Sequence, residues 1–290
     1  MNRSSMSKET LVRIGLALLV GSLIIWWMWP YYSGVRLINP VLLNLGGWQI
    51  HWYGLLMAVA VIVGWQMLVR DSRKEAWTDR IIDIVIWAVV GGLIGARLLF
   101  VLLKWGDFSG HWTEIFYLAQ GGLSIHGAVL GGAIATGLYC RQVKLSTLQI
   151  WDKLVPPLII GQIIGRFGNF FNQEAFGGPT VVPWKMWVAP AFRPLGWEQY
   201  NWFHPTFLYE AIGLGVLFWL IRYLSRRSWP AGMVTLLYLI GYAVLRFGIE
   251  FYRIDSDKWG SLTIAQWASL CIIMAGGVIG LILRYKQSKL

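Results

Sequence analysis

The chain has 290 residues, of which 57% are hydrophobic and only 13% charged, and it carries a net charge of +11. That mix excludes an ordinary soluble globular domain, and neither a long disordered tail nor an internal repeat is evident. Cys140 and Cys271 show no CxxC spacing and no neighbouring His cluster, so they read as small core hydrophobes, which leaves no catalytic thiol and no metal site.

In chain order, eight apolar windows approach the ~20 residues needed to cross a bilayer as helix. They are 11–29, 50–69, 81–103, 123–140, 154–171, 206–221, 232–249 and 263–283. The expected fold is an all-α polytopic integral membrane protein with about eight transmembrane helices and a small extracytoplasmic head. The first window follows Arg3, Lys8 and Arg13 as a signal peptide would, but it lacks a small-residue cleavage site. Trp26, Trp27 and Trp29 before Pro30 read as an interfacial anchor, so residues 1–30 are expected as a retained extra helix ahead of a membrane domain at 31–290. Val41, Leu42, Leu43, Asn44 and Leu45 are expected as an arm along the membrane interface. The loop at about 172–205 is rich in Gly, Pro and Trp without a helical period and is expected to form the head.

With the N-terminus in the cytoplasm, segments 1–13, 70–80, 141–153, 222–230 and 284–290 carry 16 of the 25 Lys and Arg residues. The outside loops carry six, and Arg97, Arg166 and Arg246 fall within spans. The positive-inside rule therefore places both termini in the cytoplasm. The positive charge is accounted for as topology, and nucleic-acid binding is not indicated.

On this topology the polar residues of the spans collect toward the outer leaflet. His51 and Tyr53 open the second span, Arg97 lies near the outer end of the third, and His126 begins the fourth. Arg166 and Asn169 end the fifth, Glu210 lies early in the sixth, and Arg246 and Glu250 end the seventh. Ionisable residues inside a membrane are costly enough to count as functional candidates. Tyr242, Arg246, Glu250 and Arg253 follow i, i+4, i+8 and i+11 and are expected on one helix face. Arg166 and Arg246 put guanidiniums at similar depth on separate helices, which suits a phosphate, because the planar fork donates two parallel hydrogen bonds and stays charged. Glu250 is expected to hold the Arg246 fork, and Glu210 another basic group.

His126 sits in Gly121-Gly122-Leu123-Ser124-Ile125-His126-Gly127, flanked by residues without bulk, and imidazole is suited to move a proton near neutral pH. Ser124 is too close in sequence to form a Ser-His-Asp set with it. Each of these residues also has a plainer account. Arg97 fits a snorkelling side chain as well as a functional one. His126 fits helix packing, and His51, Tyr53, Tyr209 and Tyr242 fit an interfacial aromatic belt. His204-Pro205 fits a helix start, and Gly91-Gly92 and Gly131-Gly132 fit close helix contacts.

The run Gly165-Arg166-Phe167-Gly168-Asn169-Phe170-Phe171-Asn172-Gln173-Glu174 with Gly177 resembles the signature of the bacterial prolipoprotein diacylglyceryl transferase family. Supporting blocks follow in the family's order. They are Ile50-His51-Trp52-Tyr53-Gly54, Gly95-Ala96-Arg97, Gly122 to Gly127, His204-Pro205-Thr206 with Leu208-Tyr209-Glu210, and Tyr242 to Arg253. The resemblance covers about residues 38–285 and leaves the first span outside it.

It implies transfer of the sn-1,2-diacylglyceryl group from phosphatidylglycerol to the lipobox cysteine of a prolipoprotein in the bacterial inner membrane. The substrate supplies the nucleophile, and no cofactor is needed. Arg166, Arg246 and His126 would be catalytic. His51, Tyr53, Arg97, Asn169, Glu174, Gly177, Tyr209, Glu210, Tyr242, Glu250 and Arg253 would bind substrate or order the pocket. A lipid or organic-anion transporter is the competing reading and calls for polar groups at the midplane or at both faces, often in paired repeats. A scaffold whose polar residues only fix packing does not call for two arginines at matched depth.

Overall fold

The computed structural model describes residues 8–117 and 121–287. The outermost parts of the two expected cytoplasmic termini, and residues 118–120 of the loop after the third span, lie outside the described residues.

Eight α-helices occur among the described residues: α1 (Lys8–Tyr32), α2 (Trp52–Asp71), α3 (Ile81–Leu103), α4 (Ile125–Gln142), α5 (Thr147–Asn172), α6 (Thr206–Leu224), α7 (Met233–Ile249) and α8 (Ile264–Gln287). Six of them, α2, α3, α5, α6, α7 and α8, are long and apolar enough to cross a membrane. The chain is thus a multi-pass all-α membrane protein. Helix α4 falls short of that composition for a physical reason. Its 18 residues include four glycines and end on Arg141 and Gln142, and at 1.5 Å per residue it is about 27 Å long. Large apolar side chains such as Ile86, Ile94, Leu138, Val216 and Leu281 point outward, as they do where lipid is the solvent.

Helix α5 is the spine of the bundle. Its Ile150 joins a buried cluster with Leu68, Ile84 and Tyr139. Further along, Val155 and Ile159 pack with Leu214, Leu217 and Tyr238. Its last turn gives Phe170 and Phe171 to a third cluster with Phe176, Met186, Val188, Phe203 and Phe207. One helix therefore sets the positions of α2, α6, α7 and the head.

Helices α3 and α4 meet through glycine, as the sequence indicated. A Cβ on Gly95 would sit 2.4 Å from the Gly127 carbonyl oxygen, and one on Gly131 2.3 Å from that of Gly91. Backbones this close gain dispersion contacts that larger residues would prevent. At the end of the bundle away from the polar cluster, Asp71 pairs with Arg222 and Lys153 with Glu75. Asp152 accepts from the backbone N–H groups of Gly232 and Thr235, both at 2.7 Å, and so caps the start of α7.

Residues 41–51 differ from the expectation of an arm followed by a span from Ile50. They form an antiparallel hairpin, β1 (Val41–Leu45) with β2 (Trp48–His51), and α2 opens only at Trp52. Gly46 and Gly47, at φ +58° and +105°, supply the two left-handed residues that a tight hairpin turn requires. The head is built on a second hairpin, β3 (Met186–Trp187) with β4 (Trp202–Phe203). A third, β5 (Lys258–Trp259) with β6 (Leu262–Thr263), leads into α8. There Thr263 and Gln266 exchange side-chain and backbone hydrogen bonds in a capping box.

Candidate active site

The last two turns of α5, the first two of α6 and the last two of α7 come together at the head end of the bundle. Glu210, 1% exposed, stands at their junction. Its Oε1 lies 2.6 Å from Arg166 Nη2 on α5, and its Oε2 lies 3.8 Å from Arg246 Nη1 on α7. The Tyr242 hydroxyl donates to Glu210 Oε1 at 2.9 Å. Arg246 turns its other nitrogen toward Glu250, with Nη2 to Oε2 at 2.8 Å, one helical turn away. Glu250 Oε1 is buried and has no hydrogen-bond partner among the described residues. A carboxylate as buried as Glu210 is tolerable only because two guanidiniums and a phenol face it.

The network continues outward from Arg166. Its Nη1 reaches Asn169 Oδ1 at 3.5 Å, and Asn169 Nδ2 donates to Glu174 Oε1 at 2.9 Å, as does Asn172 Nδ2 at 3.1 Å. Glu174 borders a cleft of about 510 Å3 on the head, together with Asn172, Phe176, Phe192, Ile254 and Asp255. Seven of the expected residues, Arg166, Asn169, Glu174, Glu210, Tyr242, Arg246 and Glu250, thus form one connected polar chain. Tyr53 belongs beside it. Its ring lies against Gly168, where a Cβ would sit 2.5 Å from Tyr53 Cδ2, and it interacts electrostatically with Glu174 and Arg166.

Other expected residues have different surroundings. Helix α7 stops at Ile249, so Arg253 does not extend its face as the spacing suggested. A 3-10 turn intervenes, and Arg253 pairs in parallel with Asp255, at 2.9 and 2.6 Å. Gly177 is pinned against the backbone. It donates to the His204 carbonyl at 2.8 Å, and a Cβ there would lie 2.5 Å from Tyr252 O, so close approach is what requires glycine.

Arg97 is buried, and its guanidinium serves four backbone carbonyls, those of Glu114, Ile115, Gly121 and Gly122, at 2.5 to 3.0 Å. It ties the 3-10 segment after α3 to the entrance of α4, which is not the posture of a snorkelling side chain. Ser124 accepts from Gly127 N and caps α4. His126, in the first turn of α4, is exposed and has no hydrogen-bond partner among the described residues. His51 ends β2, exposed, as the residue before α2.

Tyr209 belongs to an aromatic group above Glu210. Its hydroxyl accepts from Trp184 Nε1 at 2.8 Å and lies 3.0 Å from His204 Nδ1, and the rings of His204, Tyr209 and Tyr252 pack together. Burial pushes the proton affinity of His204 below the ordinary imidazole range. Trp184 was not singled out from sequence. In a chain with 19 tryptophans, nothing marks the one whose indole meets a tyrosine.

Residues 40–282 match the family model described as prolipoprotein diacylglyceryl transferase. A phosphatidylglycerol–prolipoprotein diacylglyceryl transferase of Synechocystis sp. is 42% identical over 258 residues, covering 86% of this chain and 91% of the relative. Its counterpart in Synechococcus elongatus is 43% identical, covering 85% and 88%. That of Thermotoga maritima is 38% identical, covering 88% of each. With nearly the whole membrane bundle inside these matches, the chain belongs to the prolipoprotein diacylglyceryl transferase family.

Proposed function

We propose that this protein transfers the sn-1,2-diacylglyceryl group of phosphatidylglycerol to the lipobox cysteine of a prolipoprotein. A thioether forms and glycerol 1-phosphate leaves. The observation that carries this reading is the meeting of Arg166 and Arg246, from separate helices, at the buried Glu210. A side-chain carboxylate there occupies the kind of place a phosphodiester needs, and the two forks can turn from Glu210 to the phosphate oxygens.

In the reaction the cysteine sulfur attacks the glyceryl carbon bonded to the phosphate oxygen. The S–C bond forms as the C–O bond breaks, and charge grows on the departing phosphate. Arg166 and Arg246 stabilise that charge, and they do so most in the transition state. His126, exposed at the start of α4, takes the thiol proton. Glu210, Glu250 and Tyr242 hold the forks, and Asn169 and Glu174 extend the polar path to the head cleft. Tyr53 walls the site, and Tyr209 stands at its mouth. His51 and Arg253 border the membrane face and the head, Gly177 fixes the backbone against Tyr252 and Arg253, and Arg97 shapes the entrance to α4. None of these steps requires a metal or an organic cofactor.

The setting that fits is the bacterial cytoplasmic membrane, with both termini in the cytoplasm and the site toward the outer leaflet. Residues 1–30 would be an extra helix preceding a transferase domain at 31–290 that includes the head at about 172–205. Purified protein incubated with labelled phosphatidylglycerol and a lipobox peptide should yield diacylglyceryl peptide and glycerol 1-phosphate. Lipid binding without any transfer would overturn the reading in favour of a lipid-handling protein.

A further inference from the structure

Helix α1 lies outside the matched residues 40–282, yet its last turn reaches the head. The Tyr32 hydroxyl donates to the Trp184 carbonyl oxygen at 2.5 Å, and the Tyr32 ring stacks on Phe170 of α5 with centroids 6.2 Å apart. Just beyond, Gly34 at φ +75° brings the backbone under Trp187, where a Cβ would lie 2.5 Å from Trp187 Cγ. Only glycine meets both demands. From Trp184 the path runs inward: its indole N–H donates to the Tyr209 hydroxyl, which also meets His204 Nδ1. The residue after Tyr209 on α6 is Glu210, the carboxylate between the two arginines.

We infer that Tyr32 and Trp184 are positioning residues for the transfer, through which α1 braces the head over the mouth of the site. The inference rests on the proposed transfer reaction and assigns a role to a helix that the resemblance leaves unexplained. Tyr32 fixes the Trp184 backbone, Trp184 fixes the Tyr209 hydroxyl, and Tyr209 is thereby held beside the end of the arginine cluster that faces the head. An exported polypeptide arrives from the head side, whereas the phosphate is held by Arg166 and Arg246, which neither residue touches. The brace therefore acts on peptide capture and leaves the chemical step alone.

The test uses the full chain with Tyr32→Phe, Trp184→Phe and the double variant, measured for transfer to a lipobox peptide at saturating phosphatidylglycerol and for thermal unfolding. Each single change should raise KM for the peptide about fivefold, the effect of one lost hydrogen bond, with kcat within about twofold of wild type. The double variant should be no worse than the poorer single one, because both lie on one path.

An unchanged KM, additive losses, or a rise in KM that follows a lowered melting temperature would each overturn the inference. If Trp184→Phe does not fold, Tyr32→Phe, which removes a single oxygen, decides. A wild-type protein that transfers while its variants behave identically sinks this inference alone. A wild-type protein that binds lipid and never transfers sinks the proposed function and this inference with it.

Discussion

Arg97 on α3 and the pair Arg166 and Arg246 on α5 and α7 are arginines of similar placement, each near one end of an apolar helix, yet their acceptors differ in kind. Arg97 serves four backbone carbonyls, fixed by the fold and neutral. Arg166 and Arg246 face carboxylates on rotatable side chains. A carbonyl held by the main chain cannot be exchanged for a ligand without moving the loop. A carboxylate can give way to another anion at the cost of a side-chain rotation. The chemistry of the acceptor, more than the depth of the arginine, separates a staple from a clamp.

The comparison breaks most readily at the arginines themselves. Arg246→Lys and Arg166→Lys should each lower turnover by roughly 10²–10³ while melting close to wild type, because lysine keeps the charge and loses the two-pronged geometry. Arg97→Lys should instead melt early, since one ammonium cannot reach the carbonyls on both sides of the loop. The measurement is turnover per folded molecule beside a detergent melt. A well-folded Arg97→Lys protein as inactive as Arg246→Lys would put all three residues in one class.

His126 sharpens the contrast, because it lies on the glycine-packed side of the molecule and, among the described residues, has no partner holding it. His126→Gln should retain phosphatidylglycerol binding and lose roughly a hundredfold in turnover at neutral pH. Part of the rate should return as the medium approaches the thiol pKa of about 8.5, where the substrate supplies its own thiolate. Turnover unchanged at neutral pH would remove the imidazole from proton transfer.

A third change probes how α4 is carried. Gly131→Ala places a methyl group 2.3 Å from the Gly91 carbonyl oxygen and should destabilise the α3–α4 pair by about 1–3 kcal/mol. Gly277→Ala on α8, where nothing among the described residues lies within 4 Å, is the control and should melt as wild type does. Equal melting of the two variants would mean that the helices separate without cost.

The parts of this site that repeat along one helix were legible in sequence. Arg246 and Glu250 are one turn apart and pair, and of the glycines expected at close helix contacts Gly91 and Gly131 meet directly. Contacts between helices were less so. That Glu210 would face a basic group could be expected from its place early in an apolar span, but that it would face two depended on how α5, α6 and α7 assemble. Extrapolation along a helix failed at Arg253, because spacing cannot reveal that the α-helix tightens into a 3-10 turn after Ile249. The hairpin at 41–51 was missed for a similar reason. The apolar residues on either side of Gly46-Gly47 satisfy the description of a membrane arm as well as that of a hairpin.

The smallest effect is expected at His204, which couples the head to acidity. Its proton affinity is lowered by burial in the folded state, so the unfolded chain binds a proton at a higher pH than the native protein does. Stability is fully present above the ordinary histidine value of about 6.5 and declines as pH falls through that value toward the lower folded one. Protonation would also leave Nδ1 only able to donate to the Tyr209 hydroxyl, which already accepts from Trp184. His204→Asn should therefore flatten the drop in melting temperature between about pH 7.5 and 5.5 without changing the cluster of Arg166, Glu210 and Arg246. The same pH slope in the variant as in wild type would move the acid sensitivity to titratable groups other than His204. A steeper slope would mean that the imidazole gains a partner on protonation and that its burial protects the charged form instead of the neutral one.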